Sequence, residues 1–194
     1  SAAPRYGNWF DTIVTAPGVV TKDGPTAAGF VVPLIRNGAP VVVDAIGIGS
    51  SALDFIRGLN LLVYPLVGSE ASELMDKEGQ LRFRNKRAEM YWRMREALDP
   101  TAPDPIALPP DSELKADLCA VRYKVVTLGT KAAILIRSKD EIRGILGRSP
   151  DKGDSVAMTF AEGIPRLDRF NKAPSWRDRL KKVGNKQRSS AQAA

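Results

Sequence analysis

The pattern of apolar and polar positions predicts strands and helices that alternate along most of the chain. Its clearest part begins at residues 41–43, three consecutive valines that end at Asp44. An apolar run without polar alternation is typical of a central parallel strand covered on both faces. A Gly-Ile-Gly turn follows, and then a short helix that Ser50 or Ser51 can cap and Gly58 can end. Asp44 is therefore predicted at the carboxyl end of a buried strand, where open α/β sheets carry functional groups.

Weaker patterns extend this alternation in both directions. In a helix predicted over residues 26–35, apolar residues recur at i, i+3, i+4 and i+7, with Asp23 or Thr26 as cap and a kink at Pro33. Asn85 and Ser149 are the expected caps of two later helices. Strands are predicted over residues 9–15 and 61–67, a hairpin over 124–136, and helices over 85–98, 112–123, 138–147 and 149–163. This order predicts an α/β fold, a mixed, mostly parallel sheet flanked by helices, with an added β-hairpin.

Length and charge divide the chain into a body and a tail. Its 194 residues allow one domain with a substantial core over residues 1–163, followed by a basic tail over 164–194 that we expect to be disordered. The chain has 29 basic and 22 acidic residues, and residues 166–188 contain nine of the basic and two of the acidic ones. The body is therefore neutral. A basic tail predicts a polyanion or an acidic protein surface as partner; the alternative is a tail that only improves solubility.

The absence of histidine from the sequence narrows the possible chemistry. It excludes Ser-His and Cys-His nucleophile pairs and histidine zinc sites. A metal would need oxygen ligands, which favours Mg²⁺ or Mn²⁺. The single cysteine, Cys119, cannot form an internal disulfide, as is typical of a reducing cytosol, and we interpret it as a core residue. No apolar run reaches the ~18 residues of a membrane span, so we expect no membrane partner.

Two carboxylates are the candidate catalytic residues. Asp154 lies in the first turn of the predicted last helix, one turn after Asp151, and small residues on its side allow close packing against strand ends. If Asp44 and Asp154 converge there, they could bind Mg²⁺ for hydrolysis of a phosphodiester. The residues alone leave alternatives open: Asp44 could only hydrogen-bond its turn, and Asp151 and Asp154 could be ordinary helix N-terminal acids. We interpret Gly47 and Gly49 as tight-turn glycines rather than a phosphate cradle.

Five sequence runs together resemble the nuclease domain of tailed-phage large terminase subunits. They occur in family order, over most of residues 5–163. The runs are residues 23–25 (DGP), 38–49 (GAPVVVDAIGIG), 83–92 (FRNKRAEMYW), 108–114 (LPPDSEL) and 147–154 (GRSPDKGD). The resemblance implies a ribonuclease H-like fold and a metal-dependent endonuclease that cuts concatemeric viral DNA during packaging.

The resemblance also implies roles for individual residues. Asp44 matches the second metal-binding carboxylate of the family and Asp154 the last; Asp151 is a weaker metal-ligand candidate. The implied cofactor is Mg²⁺ or Mn²⁺, bound in a two-metal-ion site. The implied partners are double-stranded DNA, the terminase ATPase domain, the small terminase subunit and the portal protein, in the host cytoplasm. The candidate DNA-binding residues are Lys86, Arg87, Lys139, Arg148, Lys181 and Lys182, although residues 85–87 could equally be a helix cap and a solvated face.

Three departures from the family pattern qualify this interpretation. The strand with the family's first catalytic aspartate is expected before Arg5, so the nuclease domain is predicted to be incomplete at its amino end and poorly active. Arg137 replaces an expected glutamate, and residues 144–146 replace a more basic run. No Walker A motif occurs, so the packaging ATPase is absent from this sequence. The alternatives are a non-catalytic DNA-binding or portal-docking module and another ribonuclease H-like enzyme, such as a recombinase.

Overall fold

Short strands and helices alternate in the computed structural model, which describes residues 1–164. The predicted tail from residue 165 onward, with Lys181 and Lys182, lies outside the described residues. The strands are β1 (Arg5–Tyr6), β2 (Trp9–Phe10), β3 (Val41–Asp44), β4 (Val63–Leu66), β5 (Arg82–Phe83), β6 (Tyr123–Leu128) and β7 (Lys131–Ile136). The helices are α1 (Gly24–Val31), α2 (Ile48–Gly58), α3 (Lys86–Ala97), α4 (Ser112–Ala120), α5 (Lys139–Leu146) and α6 (Asp151–Met158). The α/β class and the added hairpin, β6–β7, are confirmed.

The strands of this region form three small sheets rather than one large sheet. Strands β1 and β2 are antiparallel, β3 and β4 are parallel, and β5, β7 and β6 form a mixed sheet in that order. Strands of two to six residues offer few ladder hydrogen bonds, so the β3–β4 sheet depends on α2 and the β5–β7–β6 sheet on α3 for packing. Within the described residues, the mixed sheet expected from the sequence is therefore divided into three small sheets.

Strand β3 is less buried than its sequence predicted. The N–H of Val41 donates to Leu62 O and that of Ala45 to Leu66 O, so alternate residues of β3 face β4. The backbone polar groups of Val42 and Asp44 point to the other edge of β3, and no strand of residues 1–164 pairs with that edge. As a result the three valines are half-buried and Asp44 is exposed. The expected cover on both faces is not provided by the described residues.

Side-chain caps begin three of the helices where the sequence predicted a helix start. Asp23 forms a reciprocal capping box with Thr26 at the start of α1, and this helix gives way to a 3₁₀ turn over Val32–Leu34 that contains Pro33. The Asn85 side chain accepts a hydrogen bond from the N–H of Ala88 and caps α3. Ser138 caps α5 in the same reciprocal manner. In each motif the partners lie three residues apart, so local sequence is sufficient to form it.

Other predicted boundaries were wrong. Strand β2 has two residues instead of the predicted 9–15, and the later part of that range is represented only by an isolated bridge between Val14 and Ala2. Helix α2 begins after Gly47 without a side-chain cap from Ser50 or Ser51. Helix α6 likewise has Pro150, not Ser149, at its N-cap position, and it ends at Met158 rather than at residue 163.

The core lies where α3 packs against β7 and α6. Its largest fully buried apolar side chains include Phe83 of β5, Ile134 of β7, Leu114 of α4 and Val156 of α6. This packing brings the first turns of α3 and α6 beside the end of β7. Among the described helices, none has the length and apolar content needed to cross a membrane.

Candidate active site

Asp154 lies in the first turn of α6, and a buried acid of a neighbouring helix fixes that turn. The Oδ2 atom of Asp117, on α4, accepts the N–H of Gly153 at 3.0 Å, and the Asp117 side chain is fully buried. Its Oδ1 atom lies 2.6 Å from Arg148 Nη1. A Cβ on Gly153 would lie 2.9 Å from the Asp117 Cβ, so only glycine permits this approach without a shift. The start of α6 is thereby held against α4.

Both oxygens of the Asp154 carboxylate have partners. Oδ1 accepts a hydrogen bond from Tyr91 Oη at 2.7 Å and lies 3.2 Å from Arg87 Nη2. Oδ2 forms an ion pair with Lys139 Nζ at 2.9 Å. The Asp154 side chain is 17% exposed. One carboxylate is thus surrounded by two cations and a phenol, drawn from α3 and α5.

This environment shifts the acidity of two groups. Burial raises the pKa of Asp154, but the charges of Arg87 and Lys139 and the Tyr91 hydrogen bond outweigh burial and hold it below the usual value. Burial, reinforced by the charge of Asp154, raises the pKa of Tyr91 well above its ordinary value. Asp154 is therefore an anion and Tyr91 a neutral hydrogen-bond donor at neutral pH.

Arg87 connects Asp154 to the ends of two strands. Its backbone N–H donates to Gly68 O, just past β4, at 2.9 Å. Its Nη1 donates to Arg137 O, just past β7, at 2.8 Å, and its guanidinium stacks on the Tyr91 ring at 4.8 Å from the centroid. Arg87 therefore ties α6 to the carboxyl ends of two different sheets.

Asp44 lies at the carboxyl end of β3, beside Leu66 of β4. Its exposed side chain has no hydrogen-bond or ion-pair partner among the described residues. The following turn is tight: Gly47 has a φ of 63°, and a Cβ on Gly49 would lie 1.7 Å from Asp44 O. Gly47 is thus a turn glycine, as the sequence indicated, whereas Gly49 lies in the first turn of α2, where its close approach to Asp44 O requires glycine. The carboxylate of Asp44 is free to accept a ligand.

The two candidate carboxylates are connected through contacts with the end of β4 and the residues after it, and they form no hydrogen bond with each other. Leu66 is the strand neighbour of Asp44, and two residues later Gly68 accepts the N–H of Arg87, which pairs with Asp154. Their convergence on one ion remains a prediction. In residues 1–164, no three acidic, cysteine or histidine side chains gather closely enough to hold a metal. Asp44 and Asp154 could each supply an oxygen to a single divalent ion, but the described residues do not assemble a two-ion site.

The other residues singled out in the sequence lie apart from this cluster or are paired with acids, and Cys119, interpreted as a core residue, is exposed. Asp151 is exposed, and its carbonyl accepts a hydrogen bond from Ser1 Oγ. The basic candidates in the described region are paired with acids: Lys86 with Glu70, Arg87 and Lys139 with Asp154, and Arg148 with Glu113 and Asp117. Contact of these cations with DNA stays a prediction. Binding a phosphate would require each cation to give up its ion pair.

Sequence reasoning missed the roles of Tyr91 and Asp117. Tyr91 follows Arg87 by four residues, and that spacing was the available signal, because residues i and i+4 are neighbours on a helix. Asp117 lies three residues after Leu114, on the inward face of α4. An acid at an apolar position was the signal for a buried hydrogen-bonding role.

The fold is similar to that of solved viral nuclease domains. The nuclease domain of the large terminase subunit gp2 of bacterial virus Sf6 aligns with a TM-score of 0.59 and 20% identity, covering 81% of this chain and 80% of that one. A mutant form of that domain crystallised with manganese gives a TM-score of 0.61 at 20% identity, covering 81% of both chains. The mutant crystallised with calcium gives 0.62 at 19% identity, over 81% and 80%.

Neither a family model nor a curated protein sequence matches the chain. The structural similarity agrees with the ribonuclease H-like fold that the sequence runs implied. Residues 1–164 therefore have the fold of the nuclease domain of a phage large terminase subunit.

Proposed function

We propose that this chain is a divalent-metal-dependent DNA endonuclease domain that cuts concatemeric viral DNA during genome packaging. The observation that carries the proposal is the combination of the terminase nuclease fold with Asp154, an ionised carboxylate held in a partly buried cluster beside the strand that follows Asp44. The partners under this proposal are double-stranded DNA, the packaging ATPase, the small terminase subunit and the portal, in the host cytoplasm.

The proposal assigns the ligand oxygens to Asp44 and Asp154. Oxygen ligands suit Mg²⁺ or Mn²⁺, and the manganese and calcium in crystals of the Sf6 domain support divalent metal dependence. When bound, such an ion would polarise a phosphodiester and activate water. Two carboxylates are few for two ions, so a two-ion site requires a third ligand from outside residues 1–164.

Cations of the chain would supply the contacts to DNA phosphates. The basic excess falls in residues 166–188, whereas the remainder of the chain is neutral. Phosphate contacts of this kind act on any sequence and weaken with salt. Lys86, Lys139 and Arg148 are each partly exposed, so they could exchange an internal carboxylate for a phosphate.

The test is plasmid nicking with Mn²⁺, on this chain and on a form extended at the amino end by its upstream coding sequence. We expect the extended form to cut, and Asp44→Asn and Asp154→Asn each to lower its rate by at least 100-fold. Asp151→Asn is the matched control, since it makes the same substitution in the same helical turn; it should change the rate little. Equal cutting by this chain and the extended form, dependent on Asp44, would show that no further ligand is needed.

A non-catalytic DNA-binding or portal-docking module is the second candidate. It is favoured by the ion pairs of Asp154 with Arg87 and Lys139 and by the lack of a three-acid cluster in residues 1–164. Such a module would bind DNA or portal with no dependence on Mn²⁺. Nicking activity that is lost in Asp154→Asn would exclude it.

A further inference from the structure

We propose that the outer side of the β5–β7–β6 sheet is a surface that binds the phosphates of double-stranded DNA. The inference takes its DNA partner from the proposed function, but it does not depend on the candidate carboxylates or on a metal. Six cations define this surface, called the basic face: Arg82, Arg84, Arg122, Lys124, Lys131 and Arg137. None of the six is among the DNA-binding candidates that the sequence suggested.

The other side of this sheet packs against the core. Phe83 of β5 and Ile134 and Ile136 of β7 are buried members of the core cluster. Successive side chains of a strand point to opposite faces, so the residues next to these three point away from the core. Arg82 and Arg84 flank Phe83, and both are exposed. Two cations of β5 and its end therefore lie on the outer side.

The strand register brings two lysines of the hairpin to the same side. Lys131 precedes Ile134 by three positions, an odd number, so it points away from the core. Lys124 of β6 pairs with Leu135, the residue after Ile134. Both lysines are exposed. The outer side thus has cations on all three strands.

A further pair of cations extends the ladder at the carboxyl end of β7. The N–H of Arg137 donates to Arg122 O at 2.8 Å, so these two arginines lie side by side. The Arg122 side chain also donates to carbonyl groups at the end of α4. The carbonyl of Arg137 accepts Nη1 of Arg87, which pairs with Asp154. The basic face therefore ends beside the Asp154 cluster.

Acids do not neutralise the basic face through ion pairs within residues 1–164. Residues 81–88 and 121–137 contain no acidic side chain. Glu141 of α5 is held by Ser138 and is close enough to Arg137 and Lys124 to attract them, without forming an ion pair with either. The six cations are thus available to an external anion. Lys86, by contrast, would have to give up Glu70 to bind a phosphate.

The dimensions of the basic face suit a polyanion rather than a single small anion. Its three strands lie about 4.8 Å apart, and six residues of β6 or β7 extend for about 20 Å. Duplex DNA presents one charge for every ~1.7 Å of its axis, so several phosphates can face such a surface. Between the cations the outer side carries Val126, Ala133 and Leu135, which cannot form hydrogen bonds to base edges. Binding should therefore be independent of sequence.

The test is fluorescence anisotropy of a fluorescein-labelled DNA duplex with the full chain, over a range of salt and in EDTA, so that no divalent metal takes part. The variant of the basic face combines Arg82→Gln, Lys124→Gln and Lys131→Gln. The matched control variant combines Lys22→Gln, Arg36→Gln and Lys115→Gln, which removes three charges from exposed side chains outside this sheet.

We expect the variant of the basic face to bind every duplex more weakly and to lower the log–log salt slope by roughly 2–3, since each lost phosphate contact removes roughly 0.9. The control variant should keep the slope of the wild-type chain. Lys131→Gln alone, beside the hairpin turn, should lower the slope by roughly 0.9; it serves as the test if the triple variant fails to fold.

Equal slopes and affinities for the two triple variants would overturn the inference and leave an acidic protein surface as the occupant of the basic face. Failure of the proposed function would look different. A chain extended at its amino end that does not nick DNA, but binds it through the basic face, would overturn the nuclease and leave this inference standing.

Discussion

Asp154→Asn should measurably destabilise the domain without unfolding it. The substitution removes the ion pairs to Arg87 and Lys139, while the amide oxygen of asparagine can still accept the Tyr91 hydrogen bond. Breaking a fully buried pair costs about 3–5 kcal/mol, and breaking an exposed one about 0–1 kcal/mol. With Asp154 and Arg87 17% exposed and Lys139 42% exposed, we expect about 2 kcal/mol. A stability of roughly 5–15 kcal/mol keeps such a variant folded.

The assay is urea unfolding followed by tryptophan fluorescence. With a slope of about 2 kcal/mol per molar urea, a loss of about 2 kcal/mol lowers the midpoint by about 1 M. Asp151→Asn is the control, because it removes an acid from the same first turn of α6 while leaving the ion pairs intact. Its effect should stay within about 0.5 kcal/mol. The difference between the two variants then isolates the ion pairs of Asp154.

Two results would refute this reasoning. A midpoint for Asp154→Asn equal to that of Asp151→Asn would mean that the ion pairs contribute no net stability. A higher midpoint would mean that the cost of desolvating the carboxylate exceeds its attraction to the cations.

Two further predictions concern the tail and the start of α6. Deleting residues 164–194 should weaken DNA binding equally for all sequences and flatten its salt dependence, by roughly 0.9 in the log–log slope for each phosphate that the tail neutralises; an unchanged slope would indicate a protein partner instead. Gly153→Ala should cost about 1–3 kcal/mol in urea unfolding, because its Cβ would lie 2.9 Å from that of Asp117. Gly144→Ala, in open space on α5, should raise stability by about 0.5–1 kcal/mol, and equal effects of the two substitutions would contradict the packing explanation.

The sequence by itself determined the features whose physical causes are local. The caps at Asp23, Asn85 and Ser138 could be predicted because each side chain meets a backbone N–H three residues away. The β6–β7 hairpin needs only two adjacent strands and a Gly129 turn. The α/β class follows from the alternation of strand-like and helix-like patterns of apolar residues along the chain. The five sequence runs were sufficient to indicate the terminase nuclease fold.

Tertiary structure alone decided the environment of the candidate site. Asp154 meets Tyr91 and Arg87, which lie 63 and 67 residues away along the chain, because α6 packs against α3. No local spacing encodes that contact, nor the edge of β3 that no strand of residues 1–164 covers and that leaves Asp44 exposed. The sequence could therefore nominate two carboxylates, but their charge partners depend on which helices and strands lie side by side. That arrangement is set by the packing of the whole core. Among the described residues, this packing places two cations, Arg87 and Lys139, beside Asp154 and none beside Asp44.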